Sequence, residues 1–516
     1  MPSPDRDTRA VVAPDPAGPP EHEPTTTADD WAPPVVAAGD PALAGADLAT
    51  LRARALEVLL APDLAHVVDL VAWRDGEALH VADAAGHAVL ERRDPDAPAR
   101  VLRGRDPVAH QDPHDDDAYP LAGRRLASLF DDPRAPDLAV VHTGRHSWPE
   151  RHGHPGEHGS LNAVQSRAPF LLSGPGVRLS GVVPGAARVV DVGPTLAHLA
   201  GVGLPALGGL DGRPRTDLAV PGARYVVGLL WDGAPSRDLL RLAADGTLPA
   251  VARLLARGGA LDGGAVAEFP SVTLVNHTSA LTGVGPGRHG VVNNTFWDRE
   301  ARRQVVANDA STWHRAMEWV RPGVRTVFEH VAAARPEART ACVDEPVDGG
   351  AGYSTFGLVR DLGAASGADA LGDRLPDAAT DPHATPEAVA ADRGYAWGTS
   401  VDALGLEQVL GLHADPATAP DLLWWNTTLT DSGHHAGGPG SALAVASLVD
   451  SDRRLGVFLD RLAELGRLDD TVVLLTADHG SQGADPTCTG DWDDALAAAG
   501  VPFRDENYGF LYLGPS

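Results

Sequence analysis

Short, near-continuous apolar runs recur along the chain, and polar stretches with helical spacing separate them. Residues 225–231 (YVVGLLW), 340–343 (TACV), 422–425 (LLWW) and 471–475 (TVVLL) show little period-two alternation. That pattern predicts strands buried on both faces, as in a parallel sheet. Between them, 236–257, 326–333 and 443–465 are amphipathic helical stretches, the last ended by Gly466. Alternating strands and helices predict an α/β domain with a largely parallel sheet, whose ligands gather at the carboxyl ends of the strands.

The first part of the chain carries further elements. Residues 51–60 predict a helix, and 67–73 and 78–81 predict strands around an Asp75-Gly76 turn. Residues 137–142 and 168–173 are apolar strands, the second closed by Gly174-Pro175-Gly176. The segment 189–202 (VVDVGPTLAHLAGV) predicts a short strand and then a helix started by Pro194. Residues 1–48, rich in Pro, Asp, Thr and Ala, lack periodicity and predict a disordered tail. Residues 216–224 are expected to be an exposed linker, and the Gly-, Ala- and Asp-rich stretch 345–398 an inserted cap.

Composition narrows the function. The 516-residue chain has a net charge of −28 and no lysine, so a surface that coats nucleic acid is not expected. Its two cysteines, Cys342 and Cys488, cannot form a disulfide framework. No apolar signal segment or membrane-length run is visible, so the expected location is cytoplasmic, with neither membrane nor nucleic acid as partner.

Candidate chemistry sits at the strand ends. Asp232 ends the 225–231 run, Asp431 and His435 follow 422–425 in TDSGHHAGG, and Asp478 and His479 follow 471–475. Asp and His suit zinc or a similar divalent ion. Taken singly, each is as well read as a cap or turn residue. Thr273 opens the run 276–281 that Gly283 would terminate, a place that is either a plain N-cap or a site for an alkoxide at the positive end of the helix. A loop at 145–160 carries His146, His152, His154 and His158, one of which could be a further ligand. The acidic loop 112–117 (DPHDDD) reads more simply as a solvated charge run.

Together these pieces resemble the alkaline phosphatase superfamily, in its nucleotide pyrophosphatase/phosphodiesterase branch. The matching stretches are LLWDG, FPSVTLVNHTSALTG, GRHGVVNN, TDSGHH and TADHG. The resemblance implies an alkaline-phosphatase-like three-layer sandwich. It implies Thr273 as nucleophile and Asn294, 21 residues later, as the group that binds the phosphoryl oxygen. It further implies two zinc ions, one held by Asp431, His435 and His158, the other by Asp232, Asp478 and His479 and faced by Thr273. His277 and His289 are not ligands in the family and are expected to pack.

The order of segments departs from that family. GEHGS with the apolar strand behind it, and VVDVGPTLAHLAGV, resemble its C-terminal part, yet stand at 156–202. The expectation is a circular permutation in which 51–215 is the family's C-terminal part and 225–516 the rest of one catalytic domain. The implied substrate is a small phosphoric diester. A monoester or phosphonate is the alternative within the superfamily, and a catalytically silent metal-binding module the alternative outside it. Leu274 stands where nucleotide-cleaving members commonly place Phe, so Phe296 and Trp297 are the candidates for an aromatic substrate surface, or else core residues.

Overall fold

The computed structural model describes residues 35–37, 39–40, 43, 45–91, 99–148, 153–363, 374–415 and 418–514. Its central sheet has eight strands, in the order Gly181–Val183, Gly258–Leu261, Phe170–Ser173, Thr471–Thr476, Tyr225–Trp231, Leu422–Thr427, Thr340–Val343 and Tyr353–Ser354. Neighbours run parallel, except that Phe170–Ser173 is antiparallel to both of its partners. Every residue of Tyr225–Trp231 is buried, so both faces of the sheet are covered, which accounts for the missing alternation. Helices Val192–Leu199 and Leu429–Gly437 pack on this strand, and Arg393–Ala414 packs on Thr340–Val343 and Leu422–Thr427. Gly228 is required at the centre, since a Cβ there would lie 2.5 Å from the Trp424 ring and 2.8 Å from Leu196.

A second eight-stranded sheet, antiparallel throughout, brings strands from 35–142 together with strands from 503–513. Its order is Val35–Ala37, Phe503–Asp505, Phe510–Leu513, Leu138–His142, Val68–Asp75, Ala78–Asp83, Gly86–Glu91 and Arg100–Gly104. Phe510 pairs with Ala139 and Leu511 with Leu138, so the last strand of the chain is built onto the segment 51–215. That segment also supplies Phe170–Ser173 to the middle of the central sheet. It is therefore part of the same folded body as 225–514.

Several expectations need correction. The order of the chain starts earlier than a tail over 1–48 implies, because Val36 pairs with Arg504; residues 1–34 lie outside the described residues. Residues Val189–Asp191 form a 3-10 turn rather than a strand, and the helix begins at Val192, with Pro194 inside its first turn. The 236–257 region is two helices, Ser236–Ala244 and Pro249–Leu255, the second with its Ala250 and Val251 amides donating to Asp452 at 3.0 and 2.8 Å. The 216–224 connection is only partly exposed: Leu218 and Ala219 are buried and Ala219 bridges to Val177. Within 345–398, Tyr353–Ser354 extends the central sheet and Arg393 opens a 22-residue helix. Residues 364–373 lie outside the described residues. No helix among the described residues is long and apolar enough to cross a membrane.

Candidate metal centre

The carboxyl ends of three adjacent parallel strands deliver the acidic groups. Asp232 directly follows Tyr225–Trp231, and the next residue, Gly233, turns at φ 65° with its N–H donating to Asp478 Oδ1 at 3.0 Å. A Cβ at Gly233 would sit 2.3 Å from Asp431 Oδ1, so glycine lets the three carboxylates crowd together. Asp431 and His435 are one turn apart on helix Leu429–Gly437 and therefore share a face, with His435 Nε2 3.2 Å from Asp431 Oδ2. The start of that helix is fixed by Asp402, whose Oδ1 accepts from the Thr428 amide at 2.8 Å. Asp478 and His479 follow Thr471–Thr476, and His479 Nε2 lies 3.1 Å from Asp478 Oδ2 and 3.8 Å from Asp232 Oδ1.

The His-rich loop enters from the other side. Gly159 bridges to Ser271, its N–H donates to Ser271 Oγ at 3.2 Å, and Ser271 Oγ donates to Ser160 O at 2.7 Å. These bonds seat His158, fully buried, against Ser271, which lies two residues before the start of the Thr273 helix. Its Nε2 is 3.1 Å from His435 Nε2, and its ring stacks on His479 at 3.8 Å between centroids. His154 is half-buried nearby, its ring 4.8 Å from that of His435; His152 lies outside the described residues.

The imidazoles are oriented alike. Nδ1 of His158, His435 and His479 faces the carbonyl oxygens of Ser271, Gly156 and Gly480 at 3.1, 2.9 and 2.9 Å. A carbonyl only accepts, so each Nδ1 carries a hydrogen, and each ring, when neutral, turns its Nε2 lone pair inward. Two such lone pairs 3.1 Å apart, on His158 and His435, repel unless a cation or proton lies between them. Asp232 Oδ1, Asp431 Oδ1 and Asp478 Oδ2 are buried with no hydrogen-bond partner. Buried orphan oxygens beside inward lone pairs are the donor set a divalent ion takes. Ligand atoms of His158, Asp431 and His479 lie within 4.8 Å of one another, as do those of Asp232, Asp478 and His479.

The electrostatics show the same demand for positive charge. Burial, reinforced by Asp478, pushes Asp232 well above the usual carboxylate range. Burial pulls on the His479 ring in the opposite sense, but the Asp478 carboxylate overcomes it and raises the ring to about 9.

Thr273 is the first residue of helix Thr273–Thr282, and it is buried with an exposure of 8%. Asn276 anchors the helix start: its Oδ1 accepts from Glu268 N at 2.7 Å, and its Nδ2 donates to Val272 O at 3.0 Å. Asn294 Oδ1 accepts from the Leu274 amide at 3.0 Å, which holds the Asn294 amide group beside Thr273. The structure thus brings Asp232, Asp431, His435, Asp478, His479 and His158 together, and Thr273 and Asn294 to each other at the neighbouring helix start. Phe296 is fully buried, and Arg504 lies over the Trp297 ring at 4.1 Å, so neither offers an open aromatic face.

Sequence reasoning missed two groups. His277 does not simply pack: its Nδ1 is 2.9 Å from Glu345 Oε2, and its Nε2 is 3.4 Å from Asp232 Oδ2 and 3.7 Å from Asp478 Oδ2. The one available signal was helical spacing, which puts His277 one turn beyond Thr273. Tyr508 packs flat against the His158 ring at 5.7 Å and fills the space a Cβ on Gly159 would need. Nothing in its local sequence marks it.

The sequence profile of the type I phosphodiesterase / nucleotide pyrophosphatase family matches residues 226–515. The chain is 31% identical over 111 residues to alkaline phosphatase PafA of Elizabethkingia meningoseptica, a stretch that is 22% of this chain and 20% of that protein. It thus spans about a fifth of the length of that relative. Among solved structures, murine ectonucleotide pyrophosphatase / phosphodiesterase 5 aligns at a TM-score of 0.33 and 14% identity, over 50% of this chain and 57% of its own. Phosphonoacetate hydrolase from Sinorhizobium meliloti aligns at 0.32 and 22% identity, over 52% of this chain and 59% of its own. With more than half of its residues covered by that profile, the chain belongs to the type I phosphodiesterase / nucleotide pyrophosphatase family.

Proposed function

We propose that this protein hydrolyses small phosphoric diesters through a phosphothreonine intermediate. The observation that carries the reading is the set of six Asp and His side chains from four separated segments, five of them in two overlapping clusters and His435 at 3.1 and 3.2 Å from His158 and Asp431, beside a helix that opens with Thr273. Two divalent ions, zinc by the chemistry of the donors, would be held by Asp431, His435 and His158 and by Asp232, Asp478 and His479, and would supply Lewis-acid charge to the attacking and leaving oxygens.

The protein's own groups do the rest. Thr273 Oγ attacks phosphorus in line with the ester oxygen that leaves, and water later cleaves the phosphothreonine. The Asn294 amide, fixed by the Leu274 N–H, donates to an equatorial phosphoryl oxygen, and the N–H of Thr273, the first residue of its helix and so without an intrahelical acceptor, is a second donor. The residue after Thr273 is Leu274, 1% exposed, so no guanidinium stands there to grip the second charge of a monoester.

The order of segments is best read as a circular permutation. Its support is that 51–215 contributes His158 and the Phe170–Ser173 strand to the same body, while the family profile begins at 226. Permutation is tolerated where the original termini lie close together at the surface, and on this reading residues 216–224 bridge them.

The test is hydrolysis of bis(p-nitrophenyl) phosphate beside p-nitrophenyl phosphate and p-nitrophenyl sulfate, with Thr273→Ala as control. Faster turnover of the diester, lost in the variant, is the expected result. Bound metal without turnover of any of the three would make the protein a binding module instead.

A further inference from the structure

The helix that opens with Thr273 presents a second polar side chain one turn on, and on the reading of this site as an ion centre we propose that His277 is a positioning residue for Asp232 and Asp478, anchored by Glu345. Residues four apart share a helix face, so the face that turns Thr273 toward the centre also turns His277 there. His277 is 1% exposed, and each ring nitrogen faces a carboxylate: Nδ1 lies 2.9 Å from Glu345 Oε2, and Nε2 3.4 and 3.7 Å from Asp232 Oδ2 and Asp478 Oδ2.

A histidine that merely fills space would turn its nitrogens to backbone groups, as His413 does when it bonds Val409 O at 2.9 Å. Three buried carboxylates around one imidazole are unfavourable unless the ring donates to them. Glu345 is itself fixed. Its Oε2 also accepts from Trp424 Nε1 at 3.0 Å and its Oε1 from the Val347 amide at 2.9 Å. The ring angle is therefore set from the far side, through a residue of the central sheet.

The consequence is a division of labour within each carboxylate. His277 Nε2 approaches Oδ2 of Asp232 at 3.4 Å, and it is the other oxygen, Oδ1, that is buried without a hydrogen-bond partner 3.8 Å from His479 Nε2. In Asp478 the Gly233 amide holds Oδ1, and Oδ2, 3.7 Å from His277 Nε2, is the oxygen without a hydrogen-bond partner. Carboxylate ligands held in this way lose metal affinity by about 10–100-fold when the outer partner is removed.

The experiment measures zinc stoichiometry and affinity by chelator competition on the full-length wild type, His277→Leu, His277→Gln and Glu345→Gln. The wild type should bind two ions. His277→Leu should weaken one of them by about 10–100-fold and spare the other. Glu345→Gln should act in the same direction more weakly, and His277→Gln, which keeps a donor, should recover part of the loss. Wild-type affinity for both ions in a folded His277→Leu overturns the proposal. So does a parallel fall in both affinities and in the melting temperature of the zinc-free protein, with no recovery by glutamine, since that marks a packing residue. If His277→Leu does not fold, unchanged affinities in Glu345→Gln overturn it equally. A wild type that binds no zinc refutes the ion-centre reading itself, and the wild-type titration alone reports that.

Discussion

His158 Nε2 stands 3.1 Å from His435 Nε2, although 277 residues separate the two in the chain. Replacing His158 with Ala should therefore lower bound metal by about one ion per chain, measured by elemental analysis after dialysis. His154→Ala should leave the stoichiometry unchanged. The reverse pattern would move the ligand to His154, whose ring is 4.8 Å from that of His435.

Thr273→Ala should abolish diester turnover while metal content stays near that of the wild type, because all six acidic and imidazole ligands remain. Asn294→Ala should slow turnover by about 10²-fold, the usual effect of removing one donor to a developing oxyanion. A single-turnover measurement of each variant checks both, and an Asn294→Ala rate equal to wild type would make that residue structural.

Gly233→Ala should damage the centre without touching a ligand. The position has φ 65°, and the new methyl would lie 2.3 Å from Asp431 Oδ1. We expect a loss of at least about 1 kcal/mol in urea unfolding from the left-handed backbone alone. Weaker binding of at least one ion should accompany it. Full metal content in this variant would show that Asp431 can move aside.

His289 makes stability depend on pH. It is buried, with Nδ1 accepting from the Val291 amide at 3.1 Å and Nε2 3.0 Å from Ser279 Oγ. Burial pulls its ring down to about 3 from an ordinary 6.5. The unfolded chain therefore binds this proton more readily between those values, so stability should rise with pH from about 3 to 6.5 and be lost as pH falls through that window. The full span amounts to roughly 3–5 kcal/mol. Urea midpoints measured across that range, in wild type and His289→Gln, should show a shallower slope in the variant.

Phe510→Ala tests whether the two ends of the chain form one cooperative unit. Phe510 is fully buried and pairs with Ala139, so truncation should cost about 3–5 kcal/mol. Unfolding followed by Trp73 in the N-terminal part and by far-UV circular dichroism should shift together. Separate transitions would show that 51–215 is a unit of its own.

The parts of this architecture readable in advance are those with dense local signals. Leu422–Thr427 and Thr471–Thr476 contain the apolar runs LLWW and VVLL, and the candidate ligands follow them within a few residues. The second sheet was readable only in part: Val68–Asp75, Ala78–Asp83 and Leu138–His142 follow local apolar runs, but Phe503–Asp505 and Phe510–Leu513 are three and four residues long and find their partners far away in sequence. His277 was misread for a related reason. An all-buried helix suggests packing, and the carboxylate that gives the residue its task, Glu345, lies 68 positions on. The exposed linker failed at Leu218 and Ala219, two apolar residues in a polar context that nevertheless tuck under the Val177 loop.

The pairing of Val36 with Arg504 and of Leu138 with Leu511 also constrains how the protein is made. A ribosome delivers Val35–Ala37 and Leu138–His142 first and their neighbours Phe503–Asp505 and Phe510–Leu513 last. Throughout synthesis the early strands present unsatisfied edges, and the imidazole of His158 waits for Asp431, His435 and His479 to emerge. The centre is thus completed only after His479 has been translated, and a product that stops before Phe503 leaves Val35–Ala37 and Leu138–His142 without these strand partners. Such a nascent chain exposes the unpaired edges that chaperones exist to shield.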